Sequence, residues 1–474
     1  MALFLFLSCE NGSDDNPTDA DVEIQDYMWK GMNAYYLWQP NVSVLSDTRF
    51  ETQGDLNDYL ADKGDLMSFF YNDLVYRYGE TDRFSWIVDD YIALENSFSG
   101  ISLSNGVEFG LFVLNESDDN VYGVVRYILP NSDASTKNIK RGDIFNRVNG
   151  TQMTRGNYNS LLFGNDDYTL GLADFNDGSP IANDVEIALS KSQYTENPVF
   201  LQTVIENGSS KVGYLMYNSF TSNFDSQLNT AFGELKSAGV NELVLDLRYN
   251  GGGSVRSATY LASMITGQFT GQIFTTENWN PKVMDYFDTL SESERKARLE
   301  KEFPDRIASS GELINSLGLS KVYVLTTRST ASASELVING LLPYIDVVVV
   351  GTQGTGKFVA STTLYDSDDF TRNGDNLASH TYAMQPIILE EFNANGENNG
   401  VVGFLPNLEI AESYGNMGVL GDAEEPLLSK ALEDIFGVNS KSSQPQEFVK
   451  PLWIGESKEN RKDFQKMYAP LPNQ

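Results

Sequence analysis

Residues 328–357 read RSTASASELVINGLLPYIDVVVVGTQGTGK. Small residues from Ser329 to Ser334 lead into an apolar run that can coil as a helix from about residue 333, and Pro343 stops it. Val347 to Val350 then form an apolar strand, and glycines 351, 354 and 356 turn the chain toward Lys357. Helix followed by buried strand is the repeat of a β/α layered domain. Ser332 stands at the helix start, where the positive end of the helix eases alkoxide formation, and the Ala333 amide is placed to donate to an oxyanion. The 25 residues from Ser332 to Lys357 are enough for a helix, a strand and a loop that returns the lysine beside the serine. Lysine is a general base only when neutral, so burial must bring its pKa from near 10.4 to roughly 7–8.

The same heptapeptide, Gly351 to Lys357, also fits the start of a phosphate-binding loop. Phe358 stands where such a loop needs a hydroxyl for magnesium, and FVASTTLY alternates like a strand where the loop should open a helix. The nucleotide reading is therefore set aside.

Upstream, Leu243 to Leu247 form a buried strand that continues as Arg248-Tyr249-Asn250-Gly251-Gly252-Gly253, with a helix from about Val255. Glycines here allow a tight turn and bring amide N–H groups close to an anion. Strands at Val212 to Leu215 and Lys321 to Thr326, a helix from Ser226 to Ser237, and a capped helix within 421–437 ending at Gly437 extend the β/α pattern.

Together these motifs resemble the C-terminal processing peptidases, the tail-specific protease family, over about residues 20–437. The resemblance rests on Thr330-Ala331-Ser332-Ala333-Ser334-Glu335, on the Gly356-Lys357 element, on Leu245 to Gly253, and on Gly403-Phe404 with Pro406-Asn407. It implies a Ser–Lys dyad of Ser332 and Lys357, with Glu335 orienting it and Ala333 and Gly252 as oxyanion donors. It also implies a ClpP/crotonase-like layered catalytic domain and substrates with exposed, apolar, unstructured C-termini. Two positions depart from the family pattern: Ser361 replaces a glutamine four residues after the lysine, and Phe358 replaces a glycine.

Between 100 and 190 the chain changes to short alternating strands with Gly, Asn and Asp turns. Tyr127-Ile128-Leu129-Pro130, Ser132-Asp133-Ala134, Gly142-Asp143-Ile144 and Val148-Asn149-Gly150 succeed one another as in a PDZ domain. That resemblance puts Glu108-Phe109-Gly110-Leu111 at the carboxylate-binding loop, with Phe109, Gly110 and Leu111 as peptide contacts. Such a site adds a peptide as an extra strand.

The start, MALFLFLS followed by Cys9, resembles a bacterial lipoprotein signal in which Cys9 is lipidated. The acidic stretch ENGSDDNPTDAD that follows reads as a tether. The expected fold class is thus multidomain α+β. It comprises a signal and tether over 1–20, a helical N-terminal domain over 21–97, and a PDZ-like β domain over 98–192. A catalytic domain over 193–437 and a Ser-, Pro- and Lys-rich tail over 438–474 complete it. In the helical part, Ile24, Tyr27, Met28, Met32, Tyr35 and Tyr36 recur at three- and four-residue spacing.

Composition narrows the chemistry. Lys+Arg 33 against Asp+Glu 66 gives a net charge of −33 over 474 residues, which repels phosphate backbones and anionic lipid. No nucleic-acid partner is expected, and membrane contact is expected only through a lipidated Cys9. One cysteine and one histidine exclude an internal disulfide, a Cys-based metal cage and a multi-His site, so neither metal nor cofactor is expected. His380, in a polar stretch, is a weak candidate for a Ser–His arrangement. The reading is a Ser–Lys serine endopeptidase acting on polypeptides, lipid-anchored in the cell envelope of a Gram-negative bacterium. The alternative is a non-catalytic lipoprotein that binds a peptide or apolar ligand, and a glycan-capture lipoprotein stands third.

Overall fold

The valine-rich run after Pro343 pairs with neighbours on both sides, because a strand buried on both faces needs covered edges as well as covered faces. The computed structural model describes residues 22–176, 178–438, 451–461 and 464–471. Cys9 and the expected signal and tether lie outside the described residues, as does 439–450 of the expected tail. The chain divides into two units.

The first unit gathers residues up to Tyr91 with Trp279–Ser291 and Ser361–Leu389. Its helix Glu23–Tyr35 buries Tyr27, Met28, Met32 and Tyr35, the face expected from their spacing. The strand Trp86–Val88 pairs antiparallel with Ala383–Gln385. This unit differs from the contiguous 21–97 domain of the sequence reading. Two stretches read as catalytic domain join it, one of them through a strand pairing nearly 300 residues apart that local periodicity does not encode.

In the second unit, strands β1 (Val107–Val113), β2 (Tyr122–Ile128), β3 (Ile144–Val148), β4 (Asp167–Asn176) and β5 (Ser179–Ser190) pair in sequence order as an antiparallel sheet. Phe109, Leu111, Val125, Phe145 and Leu170 fill its core, with Leu161 and Phe163 of helix α1 (Tyr158–Phe163) packed against them.

The same unit carries a six-stranded sheet built from β6 (Val199–Asn207), β7 (Ser210–Tyr217), β8 (Glu242–Asp246), β10 (Lys321–Thr326), β11 (Asp346–Gly351) and β12 (Leu408–Glu409). β6 and β7 are antiparallel, and every later pair is parallel. Helices α2 (Asp225–Ser237), α3 (Val255–Ile265), α4 (Ala333–Leu341) and α5 (Pro426–Phe436) complete the layers. Leu427, Leu428, Ala431 and Leu432 of α5 pack on Val244, Tyr323, Leu325 and Val350 of this sheet. α5 ends at Gly437 in the left-handed conformation that glycine adopts without strain.

Two short strands come from the stretch read as a tail, which the structure corrects. β13 (Leu452–Glu456) adds antiparallel to the outer edge of β1, and β14 (Met467–Tyr468) pairs in parallel with β9 (Gly253–Ser254). Their shortness within a Ser-, Pro- and Lys-rich stretch hid strands whose stability comes from partners far away in sequence.

Candidate active site

Strand β8 ends at Asp246, and the loop to β9 is fixed from below and from the side. Below, Arg248 is completely buried and forms a bidentate pair with Glu425, at 2.6 and 2.9 Å, while its Nε donates to both oxygens of Asp246. A second cation, Arg141, donates to Glu412 at 2.8 Å and to the Tyr249 hydroxyl at 2.8 Å. Burial alone would raise the Glu412 carboxyl, but Arg141 and Arg248 overcome that and hold it down at about 2. The arginine of the Leu245 to Gly253 motif thus anchors the loop rather than facing a substrate.

From the side, the stretch after β10 is stitched to the same loop. Thr330 Oγ1 donates to the Leu247 carbonyl at 2.8 Å, and the Ala331 N–H and Ser334 Oγ both donate to the Asn250 carbonyl, at 3.1 and 3.0 Å. This lateral register sets the start of α4, where Ser332 has φ +66° and ψ −119°. A serine is rarely held there; such strain marks positions where surrounding structure over-determines the backbone. Ser332 is fully buried, and its Oγ has no hydrogen-bond partner.

Glu335, one turn into α4, joins the predicted residues. Its Oε2 accepts the Ser332 N–H at 3.1 Å and the Lys357 N–H at 2.9 Å, and its Oε1 accepts the Gly356 N–H at 2.9 Å. Burial raises its pKa, while these N–H groups of Lys357, Gly356 and Ser332 pull the other way. The room is made by glycines. A Cβ on Gly354 would stand 3.0 Å from the carboxylate, and one on Gly403 2.7 Å. One carboxylate therefore fixes the backbones of both the serine and the lysine.

The Lys357 side chain is also buried, and its Nζ donates to the Gln465 carbonyl at 3.0 Å. Because Ser332 Oγ is without a partner, the expected hydroxyl–amine hydrogen bond is not made in this state. Residues beyond Lys357 form the strand Val359–Ser361, as the alternation indicated, not the helix of a phosphate loop. Ser361, in the first unit, accepts from Gln385 Nε2 at 3.2 Å.

The oxyanion donors divide. Ala333 is the first residue of α4, where the helix itself gives the amide no acceptor. The Gly252 N–H instead donates to Asn250 Oδ1 at 2.9 Å, so in this state it is taken by its own loop. Sequence reasoning missed Asn250, although an Asn two residues before the amide it captures is a common turn signal. Gln465 was missed as well, and no local pattern announces it.

Two expectations end elsewhere. Phe109, Gly110 and Leu111 lie within β1, buried and paired on both edges, so they form a strand and not a carboxylate-binding loop. The reason is register: the apolar run Val107–Val113 is long enough to cross the sheet, and β13 covers its outer edge. His380 belongs to the first unit, where Nε2 lies 2.8 Å from Asp366 and Nδ1 accepts the Tyr382 N–H. Among the described residues no cluster of His, Cys, Asp and Glu could hold a metal ion.

Comparison with known proteins starts from the segment that carries this geometry. Residues 211–385 match the model of peptidase family S41. That segment is similar to the family S41 peptidases. A chloroplastic C-terminal processing peptidase of Tetradesmus obliquus is 26% identical over 251 residues, covering 50% of this chain and 48% of that protein. The chain thus spans about half the length of this relative. These matches relate it to the C-terminal processing peptidases. A crystal structure from Bacteroides fragilis described as an S41 protease superposes with a TM-score of 0.66 at 24% identity, covering 91% of this chain and all of that one. The photosystem II D1 C-terminal processing protease gives 0.50 at 18% identity, covering 86% and 96%. The mixed α/β fold is therefore shared with S41 proteases.

Proposed function

We propose that this protein is a serine endopeptidase that hydrolyses polypeptides with exposed apolar C-termini, using Ser332 and Lys357. The observation that carries the reading is the shared anchor: one buried carboxylate, Glu335, holds the backbone of a strained serine at a helix start and the backbone of a buried lysine. The match of residues 211–385 to peptidase family S41 and the similarity to a C-terminal processing peptidase support the same chemistry.

In the reaction, Ser332 Oγ bonds to the substrate carbonyl carbon while its proton passes to a neutral Lys357 Nζ. The oxyanion is met by the Ala333 N–H at the positive end of α4, and by Gly252 once Asn250 releases it. Lys357 then returns the proton to the departing amine. A water repeats the sequence on the acyl-enzyme, freeing the new carboxylate and restoring the serine. Glu335 is a positioning residue throughout. Substrate would reach this centre as an extended strand along the antiparallel sheet, in the manner of a PDZ domain. Export and lipid attachment at Cys9 belong to the same proposal.

The test is incubation of the full chain with an unstructured polypeptide ending in apolar residues, read by mass spectrometry of the products. Cleavage by the wild type should fall by about 10³-fold or more in Ser332→Ala. Equal cleavage by that variant would refute the assignment.

A further inference from the structure

A strand-presented substrate needs a free edge, and the lysine needs a serine to act on; in this structure one segment of the chain occupies both places. We propose that residues 452–461 and 464–468 are an intramolecular occupant of the peptide groove and of the cleft beside Ser332, and that the protease works only when this segment withdraws. The inference rests on the peptidase reading for its functional meaning, and on geometry for the occupancy itself.

The segment is held at three successive levels. β13 saturates the outer edge of β1, with Trp453 opposite Phe112 and Glu456 opposite Gly110, while Ile454 packs on the core of that sheet. Three of the charged residues that follow, Glu456, Lys458 and Arg461, meet buried opposite charges. Glu456 pairs with Arg126 and accepts from Ser329 Oγ, Arg461 reaches Glu108 at 2.6 Å and Glu196 at 2.9 Å, and Lys458 lies 3.6 Å from Glu196. Burial would raise the Glu196 carboxyl, but Lys458 and Arg461 bring it below its ordinary value, as expected for a receptor carboxylate matched to this segment.

The main chain then crosses the catalytic loop. The Gln465 carbonyl takes the Lys357 ammonium or amine at 3.0 Å, and its side-chain amide donates to Thr355 Oγ1 at 3.2 Å. The Lys466 carbonyl oxygen stands 2.9 Å from where a Gly252 Cβ would be, and Ser332 Cβ stands 2.7 Å from the same point. Beyond it, Met467 and Tyr468 pair with Gly253 and Ser254. A polypeptide cannot enter while the segment is seated. Tethering presents it at an effective concentration of order millimolar, so a substrate in solution competes poorly.

Met467 is fully buried, so Met467→Asp puts an unpaired carboxylate where β14 seats and should expel it, leaving β13 and the Arg126–Glu456 pair intact. Ala469→Asp, at a second buried position of the segment, serves if the first variant does not fold. Two readouts are needed. In full chains carrying Ser332→Ala, a fluorescent peptide of residues 464–471, FQKMYAPL, should bind at least tenfold more tightly when Met467→Asp is also present. With Ser332 restored, Met467→Asp should raise hydrolysis at least tenfold, and the free peptide should suppress it. Equal peptide binding with and without Met467→Asp overturns the occupancy. Tenfold different binding with unchanged hydrolysis overturns the gating. Different binding with no hydrolysis by any form sinks the peptidase reading while the occupancy stands.

Discussion

Two buried polar clusters lie within one loop of each other, and they are built on opposite terms. Around Arg248 each charge is answered: Asp246, Glu425 and Glu412 surround it, Arg141 takes the far side of Glu412, and Tyr214 donates to Asp246 at 2.6 Å. Around Ser332 the backbone is fixed with similar care, yet the reactive hydroxyl has no partner and its φ is positive. The first cluster gains from full satisfaction, because a buried ion left unpaired is strongly destabilising. The second must leave its hydroxyl free to meet a substrate, so strain and an orphaned polar atom collect there. Satisfaction builds the platform, and its absence marks where chemistry is to happen.

The largest effect should come from breaking the satisfied cluster. Arg248→Met leaves Asp246 and Glu425 buried without their cation and should cost about 3–5 kcal/mol of stability. Chemical denaturation checks this, and a loss under about 1 kcal/mol would show that the network is not what holds the loop. Acid should break the same cluster next. The Glu412 carboxyl lies at about 2 when folded, against an ordinary value of 4.5, so its stabilising contribution is present above 4.5 and is lost as pH falls from there through about 2. A shift of that size corresponds to about 3 kcal/mol. Denaturation midpoints of wild type and Glu412→Gln across that window should lose their difference in acid sensitivity only if another group is responsible.

The contrast between the clusters also explains how much was legible in the sequence. The start of α4, the strand after Pro343, the return of Lys357 and the glycine end of α5 are local consequences of residue size, apolar spacing and capping, and each lies where its residues indicated. Glu335 entered only through the family resemblance; its carboxylate accepts the Ser332 N–H because three residues along a helix start bring a side chain back to the N-terminus. Long-range pairing was not readable. Arg248 sits in a motif beside the serine and yet serves the core, since its partners Glu412 and Glu425 are more than 160 residues away in sequence. β13 and β14 carry no apolar alternation strong enough to stand out, and their meaning comes from the edges they find.

The smallest effect, and the sharpest, should come from the residue that joins the two strategies. Glu335 is buried like the members of the satisfied cluster, but what it satisfies is backbone of the reactive one. Glu335→Gln keeps its shape and replaces one acceptor oxygen by a donor. In either orientation the amide nitrogen then faces at least one N–H, that of Gly356 on one side or those of Ser332 and Lys357 on the other. The cost should be about 1–3 kcal/mol of stability, below that of Arg248→Met. Because the displaced groups are the backbones of serine and lysine, kcat should fall by roughly 10–100-fold while KM changes little, as expected when an arrangement needed only in the transition state is loosened. A loss of stability with kcat unchanged would assign Glu335 to the platform alone. A rise in KM with kcat unchanged would move it to substrate binding, and the division between the two clusters would have to be redrawn around it.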